Sequence, residues 1–126
     1  MTTPDDVLEV ARKWCRVSNS SKPANLGRLL ADDAVVHGLA RGRPLNGRDA
    51  ILRAVYSLAS MFAGKTCEVL DAIAQGDRAA VRWRMTFSPD MWHVSGMPLS
   101  YDGLTICTVR DGRIVELHCS FARWWV

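Results

Sequence analysis

The sequence predicts an α+β protein in which N-terminal helices cover one face of a curved antiparallel sheet. Apolar residues recur at helical spacing in the first half of the chain, whereas a period of two begins at Thr66 and continues to Phe121. Two turn signals, Gly76-Asp77 and Asp111-Gly112, divide that second half into hairpins. The helices therefore come first and the hairpins follow.

The composition is that of one ordinary globular domain, residues 1–126. The chain has 126 residues, of which 48% are hydrophobic and 23% charged, and a formal net charge of +3 without a basic run. Nucleic-acid binding needs clustered basic residues, so it is not expected. No apolar run is long enough to cross a membrane, and the first six residues are too polar for a signal peptide. A cytoplasmic protein without a membrane partner is expected.

The cysteines and histidines show no recognisable ligand pattern. None of the four cysteines belongs to a CxxC pair, and none has metal-type spacing to the three histidines. Free thiols in a reducing cytosol are the simplest interpretation. We expect no metal and no cofactor.

Three helices are predicted before the sheet. The first begins at Thr3-Pro4, with a hydroxyl cap and a proline at the first helical position, and buries Trp14. A short second helix covers 25–30 and leads to a strand at 34–38. The third and longest runs from Arg48 to Ala63, because Gly64 supplies a C-terminal stop.

In the first hairpin, Gly76-Asp77 is a type II′ turn signal that places Gln75 opposite Arg78. Alternation then puts Asp71 across from Arg82 on the outer side. The inward side carries the large apolar residues of the second strand, Trp83, Met85 and Phe87.

In the second hairpin, the Asp111-Gly112 turn places Arg110 opposite Arg113. Strict alternation then puts Ile106 opposite Leu117, Leu104 opposite Cys119 and Asp102 opposite Phe121 on one largely apolar side. The more polar side carries Thr105, Cys107, Glu116, His118 and Ser120. The predicted binding side is the apolar one.

Four segments in this order resemble the NTF2-like superfamily, which includes ketosteroid isomerases and SnoaL-like polyketide cyclases. They are Leu29-Leu-Ala-Asp-Asp-Ala-Val-Val36, Asn46-Gly-Arg-Asp-Ala-Ile51, Gly96-Met-Pro98 and Arg110-Asp-Gly-Arg-Ile-Val-Glu116. The resemblance implies a cone-shaped, cystatin-like fold and a homodimer. It also implies a hydrophobic pocket for an apolar small molecule between the first helix, the long helix and the concave sheet face.

The resemblance implies a pocket lining that agrees with the predicted inward positions. Aromatic residues on an inward face also fit a plain packed core, and that alternative stays open. The implied ligand-binding residues are Trp14, Tyr56, Trp83, Met85, Phe87, Leu104, Ile106, Leu117, Cys119 and Phe121.

The catalytic groups of the isomerases have no counterpart at the matching positions. Their carboxylate base falls at Gly38, their tyrosine at Trp14, and their second acid near Leu104 or Ile106. Other SnoaL-like members carry an acid on the last strand, where this chain has Cys119. Steroid isomerisation by the isomerases' own mechanism is therefore not expected.

Asp102 is the strongest candidate for proton transfer. A carboxylate on an apolar face is poorly solvated, which raises its pKa towards the useful range. The alternative is a carboxylate at a strand end that reaches solvent.

Two further candidates each have a structural alternative. His37 lies beside the isomerases' base position, but alternation points it away from Gly38, which fits a surface or interface histidine. His93 lies in the long link between the hairpins, where histidines are commonly solvated.

Two functions follow from these candidates. The first is a cofactor-independent enzyme of isomerase, cyclase or hydrolase type, in which Asp102 acts with His37 or His93 on an apolar carbonyl-containing or cyclic metabolite. The second is a non-catalytic ligand-binding or dimerisation module. Dimerisation is expected through the outer sheet face, to which alternation assigns Cys107, Val109 and Ile114.

Overall fold

The computed structural model describes residues 3–18, 25–39, 42–61, 66–86 and 100–121. These residues form two α-helices and one six-stranded sheet. In chain order the elements are α1 (Pro4–Ser18), a 3-10 turn (Leu26–Leu29), β1 (Leu30–His37), β2 (Leu45–Asn46), α2 (Arg48–Met61), β3 (Thr66–Gln75), β4 (Arg78–Thr86), β5 (Ser100–Arg110) and β6 (Arg113–Phe121). No helix in these ranges is long and apolar enough to span a membrane.

Helix α1 begins where the sequence predicts. The Thr3 backbone N–H donates to Asp6 Oδ2 at 3.0 Å, and the Asp6 N–H donates to Thr3 Oγ1 at 3.2 Å. This reciprocal pair satisfies two backbone donors that the first turn otherwise leaves without a partner. The helix buries the side of Val7, Ala11 and Trp14 against the sheet.

The prediction of three N-terminal helices is wrong. The second segment is a single 3-10 turn at Leu26–Leu29, and β1 already begins at Leu30. A helix this short cannot offset the cost of nucleation, and the chain instead buries Leu26, Leu29 and Leu30 directly. Helix α2 begins at Arg48 as predicted and is described as far as Met61.

The sheet is mixed, not antiparallel as predicted. Its strand order is β2-β1-β6-β5-β4-β3, and β1 runs parallel to β6 while the other neighbours are antiparallel. The parallel pair joins β1 and β6, which are far apart in the chain, so no turn signal in the sequence predicts it. We call the face covered by the helices the inner face and the opposite face the outer face.

The first hairpin has the predicted turn and the predicted register near it. Gly76 has φ 60, Gln75 lies opposite Arg78 and Asp71 lies opposite Arg82. The register shifts beyond Asp71, where Leu70 is an extra residue. Trp83 and Met85 point inward as predicted and are buried.

The second hairpin has the predicted turn but not the predicted register. Asp111 and Gly112 both have positive φ, 53 and 76, and Arg110 lies opposite Arg113. Val115 is then an extra residue in β6, because Val109 pairs with Ile114 and Thr108 with Glu116. Such a bulge changes which residues of the two strands share a face.

The bulge reverses the predicted faces of β5. Thr105 lies opposite Cys119, and Leu104 lies opposite Ser120. Asp102, Leu104 and Ile106 therefore lie on the outer face, and the predicted inner position of these three is wrong. The inner face of β5 carries Gly103, Thr105, Cys107 and Val109 instead, all of them buried.

Candidate functional site

The inner face carries a buried polar contact between β4 and β5. Trp83 is 1% exposed, and its Nε1–H donates to Thr105 Oγ1 at 2.9 Å. The same oxygen lies 3.8 Å from Cys119 Sγ on β6. Thr105 is the one buried polar residue in the described ranges, so this contact is a local exception in an apolar interior.

Gly103 makes room for the Trp83 indole. A Cβ at Gly103 would overlap the six-membered ring of that indole. A glycine inside a strand commonly marks such a close approach. A glycine at this position of the sequence therefore indicates that residue 103 lies on the inner face. Tyr101 and Thr105, two residues before and after it, lie on the same face.

Tyr101 is a functional candidate that strict alternation failed to find. It lies opposite Met85 on the inner side, and its ring meets that of Trp83 edge-on, with centroids 6.1 Å apart and planes at 68°. The residue is half-buried, and burial raises the pKa of its phenol. The hydroxyl therefore stays protonated at neutral pH and can donate a hydrogen bond.

The inward cysteines are neutral thiols. Burial raises the pKa of both Cys107 and Cys119 to about 11, and it raises that of Cys15 further. Thiolates are the reactive form, so none of these three groups is an activated nucleophile at neutral pH. Cys119 points inward as predicted, in contact with Thr105.

The position that matches the isomerases' base has no room for a side chain. Gly38 has φ 90, and a Cβ there would overlap the carbonyl oxygen of Cys119. Trp14, at the position of the isomerases' tyrosine, is 3% exposed and packed in the core. At Gly38 a carboxylate base is thus excluded on steric as well as chemical grounds, and Trp14 has no hydroxyl to replace that of the isomerases' tyrosine.

Asp102 is held by an arginine on the outer face. Its Oδ1 accepts a hydrogen bond from Arg84 Nε at 2.8 Å, and its Oδ2 accepts one from Arg84 Nη2 at 3.3 Å. The bond from Arg84 lowers the pKa of the Asp102 carboxyl. The predicted raised pKa is therefore wrong, and the proton-transfer role assigned to Asp102 loses its physical basis.

His37 also points outward, as the alternation of β1 indicates. Its Nε2 lies 3.2 Å from Glu116 Oε2, and its ring stacks on that of His118 with centroids 4.3 Å apart. Hydrogen bonding from His37 lowers the pKa of Glu116. His37 is therefore separated by the sheet from Trp83 and Tyr101.

The remaining predicted residues fall in three groups. Trp14, Trp83, Met85, Leu117 and Cys119 come together on the inner side. Tyr56 is 42% exposed on α2. His93, Phe87 and the side chain of Phe121 lie outside the described residues.

Comparison with solved structures supports the fold. An NTF2-like protein of unknown function from Mesorhizobium loti is 25% identical, with a TM-score of 0.75 over 98% of this chain and 96% of its own. A proposed ketosteroid isomerase from Kribbella flavida is 20% identical, with a TM-score of 0.73 over 100% of this chain and 84% of its own. A proposed SnoaL-like polyketide cyclase from Jannaschia is 16% identical, with a TM-score of 0.77 over 96% and 90%.

No curated protein matches the chain. The family description that matches is the SnoaL-like domain, over residues 11–117. That range runs from α1 through most of β6 and so includes Trp14, Trp83 and Tyr101. The chain therefore belongs to the SnoaL-like domain family of the NTF2-like superfamily.

Proposed function

We propose that this SnoaL-like domain binds an apolar, carbonyl-containing or cyclic small molecule at the inner face, beside Tyr101. The observation that carries the proposal is the half-buried Tyr101 phenol set edge-on against the buried Trp83 indole. The Tyr101 ring, backed by the buried Trp83 indole, offers an aromatic surface to a flat apolar ligand, and the Tyr101 hydroxyl is a neutral donor for the ligand's carbonyl.

The neighbours of Tyr101 across the sheet favour a neutral ligand. Met85 lies opposite Tyr101, and Cys67 lies opposite Met85. Neither side chain carries an amine, a guanidinium or a carboxylate. A charged ligand would lose its hydration at such a surface without gaining an ionic partner, which is costly.

The test is isothermal titration calorimetry with acetylnaphthalene, a flat aromatic ketone. We expect saturable binding at one ligand per chain. Tyr101→Phe removes only the hydroxyl, so it should weaken the affinity roughly three- to tenfold, the value of one net hydrogen bond.

Thr108→Val is the control, because Thr108 lies on the outer face of β5 and this substitution also removes one hydroxyl. Its affinity should equal that of the unsubstituted chain. Absence of saturable binding, or an equal effect of Tyr101→Phe and Thr108→Val, would contradict the proposed site.

A second candidate function is acid–base turnover of the same ligand class. Thr86 and Ser100 lie opposite each other at the ends of β4 and β5, next to the Met85–Tyr101 pair, and residues 87–99, which include His93, connect these two strand ends in the sequence. An imidazole from that link could remove a proton next to a carbonyl held by Tyr101.

Proton exchange tests this second function without knowledge of the natural substrate. In deuterium oxide, the chain should accelerate deuterium uptake into the acetyl methyl group of acetylnaphthalene, and His93→Ala should abolish the acceleration. If the exchange rate equals that in buffer while acetylnaphthalene still binds, the acid–base function is contradicted and the non-catalytic binding function remains.

A further inference from the structure

Three potential metal ligands meet on the outer face, on the opposite side of the sheet from the proposed ligand site. Glu116 and His118 are two residues apart on β6 and point to the same side. His37 lies directly opposite His118 on the neighbouring parallel strand β1. Two positions on one strand and a third on its neighbour form a three-point set supported by a rigid sheet.

The ligand atoms of these residues already lie close together. His37 Nε2 is 3.2 Å from Glu116 Oε2, and His118 Nε2 is 3.7 Å from Glu116 Oε1. One ligand atom from each residue can be chosen so that all three lie within 4.8 Å of one another. The two imidazole rings stack with their planes only 6° apart. Small side-chain rotations would let all three donors point at one ion.

No competing cation neutralises this carboxylate in the described part of the chain. The ion pairs of Glu116 in these ranges are with His37 and His118. The side chains of the three residues are one third to one half exposed, so an ion could enter from solvent.

We propose that His37, Glu116 and His118 bind a divalent transition-metal ion of the zinc class. Two imidazole nitrogens and one carboxylate are a ligand set that Zn²⁺ takes in proteins, whereas Mg²⁺ and Ca²⁺ prefer all-oxygen sites. Three protein ligands leave a coordination position open to water or to an anionic group. The spacing along the sequence does not reveal the site, because His37 joins it only through the parallel pairing of β1 with β6.

The test is calorimetric titration of the full, tag-free chain with zinc chloride after treatment with a chelator. We expect saturation at one ion per chain and a rise in the thermal midpoint, because an ion that binds only the folded state stabilises it. His37→Ala, His118→Ala and Glu116→Gln should each weaken zinc binding about tenfold or more.

Glu68→Gln is the matched control, since Glu68 is a carboxylate on β3, three strands away from Glu116. It should bind zinc as the unsubstituted chain does. Thermal unfolding of every variant without metal checks that each one folds.

Cobalt absorption distinguishes this site from the four cysteines. Nitrogen and oxygen ligands should give visible bands without the intense near-ultraviolet band of a cobalt–thiolate bond. No zinc binding, zinc binding unchanged in the three cluster variants, or a strong thiolate band would overturn the proposal.

Discussion

Gly103 on β5 lies directly against the indole ring of Trp83 on β4. The indole lies against the strand backbone there, its N–H donates to Thr105, and its ring forms a T-shaped contact with that of Tyr101. A single residue without a side chain thus positions the aromatic part of the proposed ligand site.

Gly103→Ala should destabilise the fold, because its new methyl group would overlap a ring that is enclosed by the core. We expect the free energy of unfolding to fall by about 1–3 kcal/mol, the usual cost of overpacking. Gly27→Ala is the control: its nearest side-chain atoms would be 3.6 Å and 3.8 Å from the added carbon. Urea denaturation measures both, and equal losses would contradict the close contact.

Thr105→Val should leave the Trp83 N–H buried without its acceptor. The expected loss is about 1–3 kcal/mol in the free energy of unfolding, the cost of an unsatisfied buried donor. Thr108→Val makes the same chemical change on the outer face of the same strand, where it should have little effect. Equal denaturation midpoints for the two variants would contradict the assigned hydrogen bond.

Asp102 should contribute to stability at neutral pH and lose that contribution in acid. The hydrogen bond from Arg84 lowers the pKa of Asp102 in the folded chain, so the unfolded chain takes up the proton first as pH falls. The contribution is present above the unfolded pKa and disappears as pH falls through the folded one. Asp102→Asn should flatten the acid side of the stability curve, and an NMR titration should place the carboxyl pKa below its usual value. A raised pKa would contradict the ion pair.

The outer face should pair with a second copy of the chain. Strict alternation assigns the dimer contact to Cys107, Val109 and Ile114. These three residues are buried on the inner face, so their assignment to the dimer contact is wrong. The outer face instead exposes Leu104 at 43% and Ile73 at 67%.

A stable dimer buries roughly 800 Å² of each partner. Light scattering should give about twice the chain mass of 14.0 kDa. Leu104→Lys should shift the chain to monomer, whereas Tyr56→Lys on α2 should not. A monomer mass for the unsubstituted chain would contradict the pairing.

Local chemistry in the sequence predicts much of the fold. The capping residues of α1, the start of α2 and both two-residue turns are determined by neighbours in the chain, and each is found where it was predicted. The parallel β1–β6 pair depends on residues about 80 positions apart, as His37 and His118 show, and no local pattern encodes it. The sequence predicts a helix where the structure has the 3-10 turn at Leu26–Leu29, because the two have similar spacings of apolar residues over so few positions.

The candidate site could be predicted only in part, because alternation cannot detect the bulge at Val115. β5 carries larger apolar residues on its outer face, Leu104 and Ile106, than the Gly103 and Thr105 of its inner face. Hydrophobicity alone therefore favoured the wrong side and brought Asp102 inward. Gly103 was the one local signal for the correct side.

The most direct test is an NMR titration of the methyl-labelled chain with acetylnaphthalene. We expect intermolecular nuclear Overhauser contacts from the naphthalene protons to the Met85 methyl group and the Trp83 indole, both on the inner face beside Tyr101. Contacts instead to the methyl groups of Leu104, Ile106 or Ile73 would place the ligand on the outer face and contradict the proposed site.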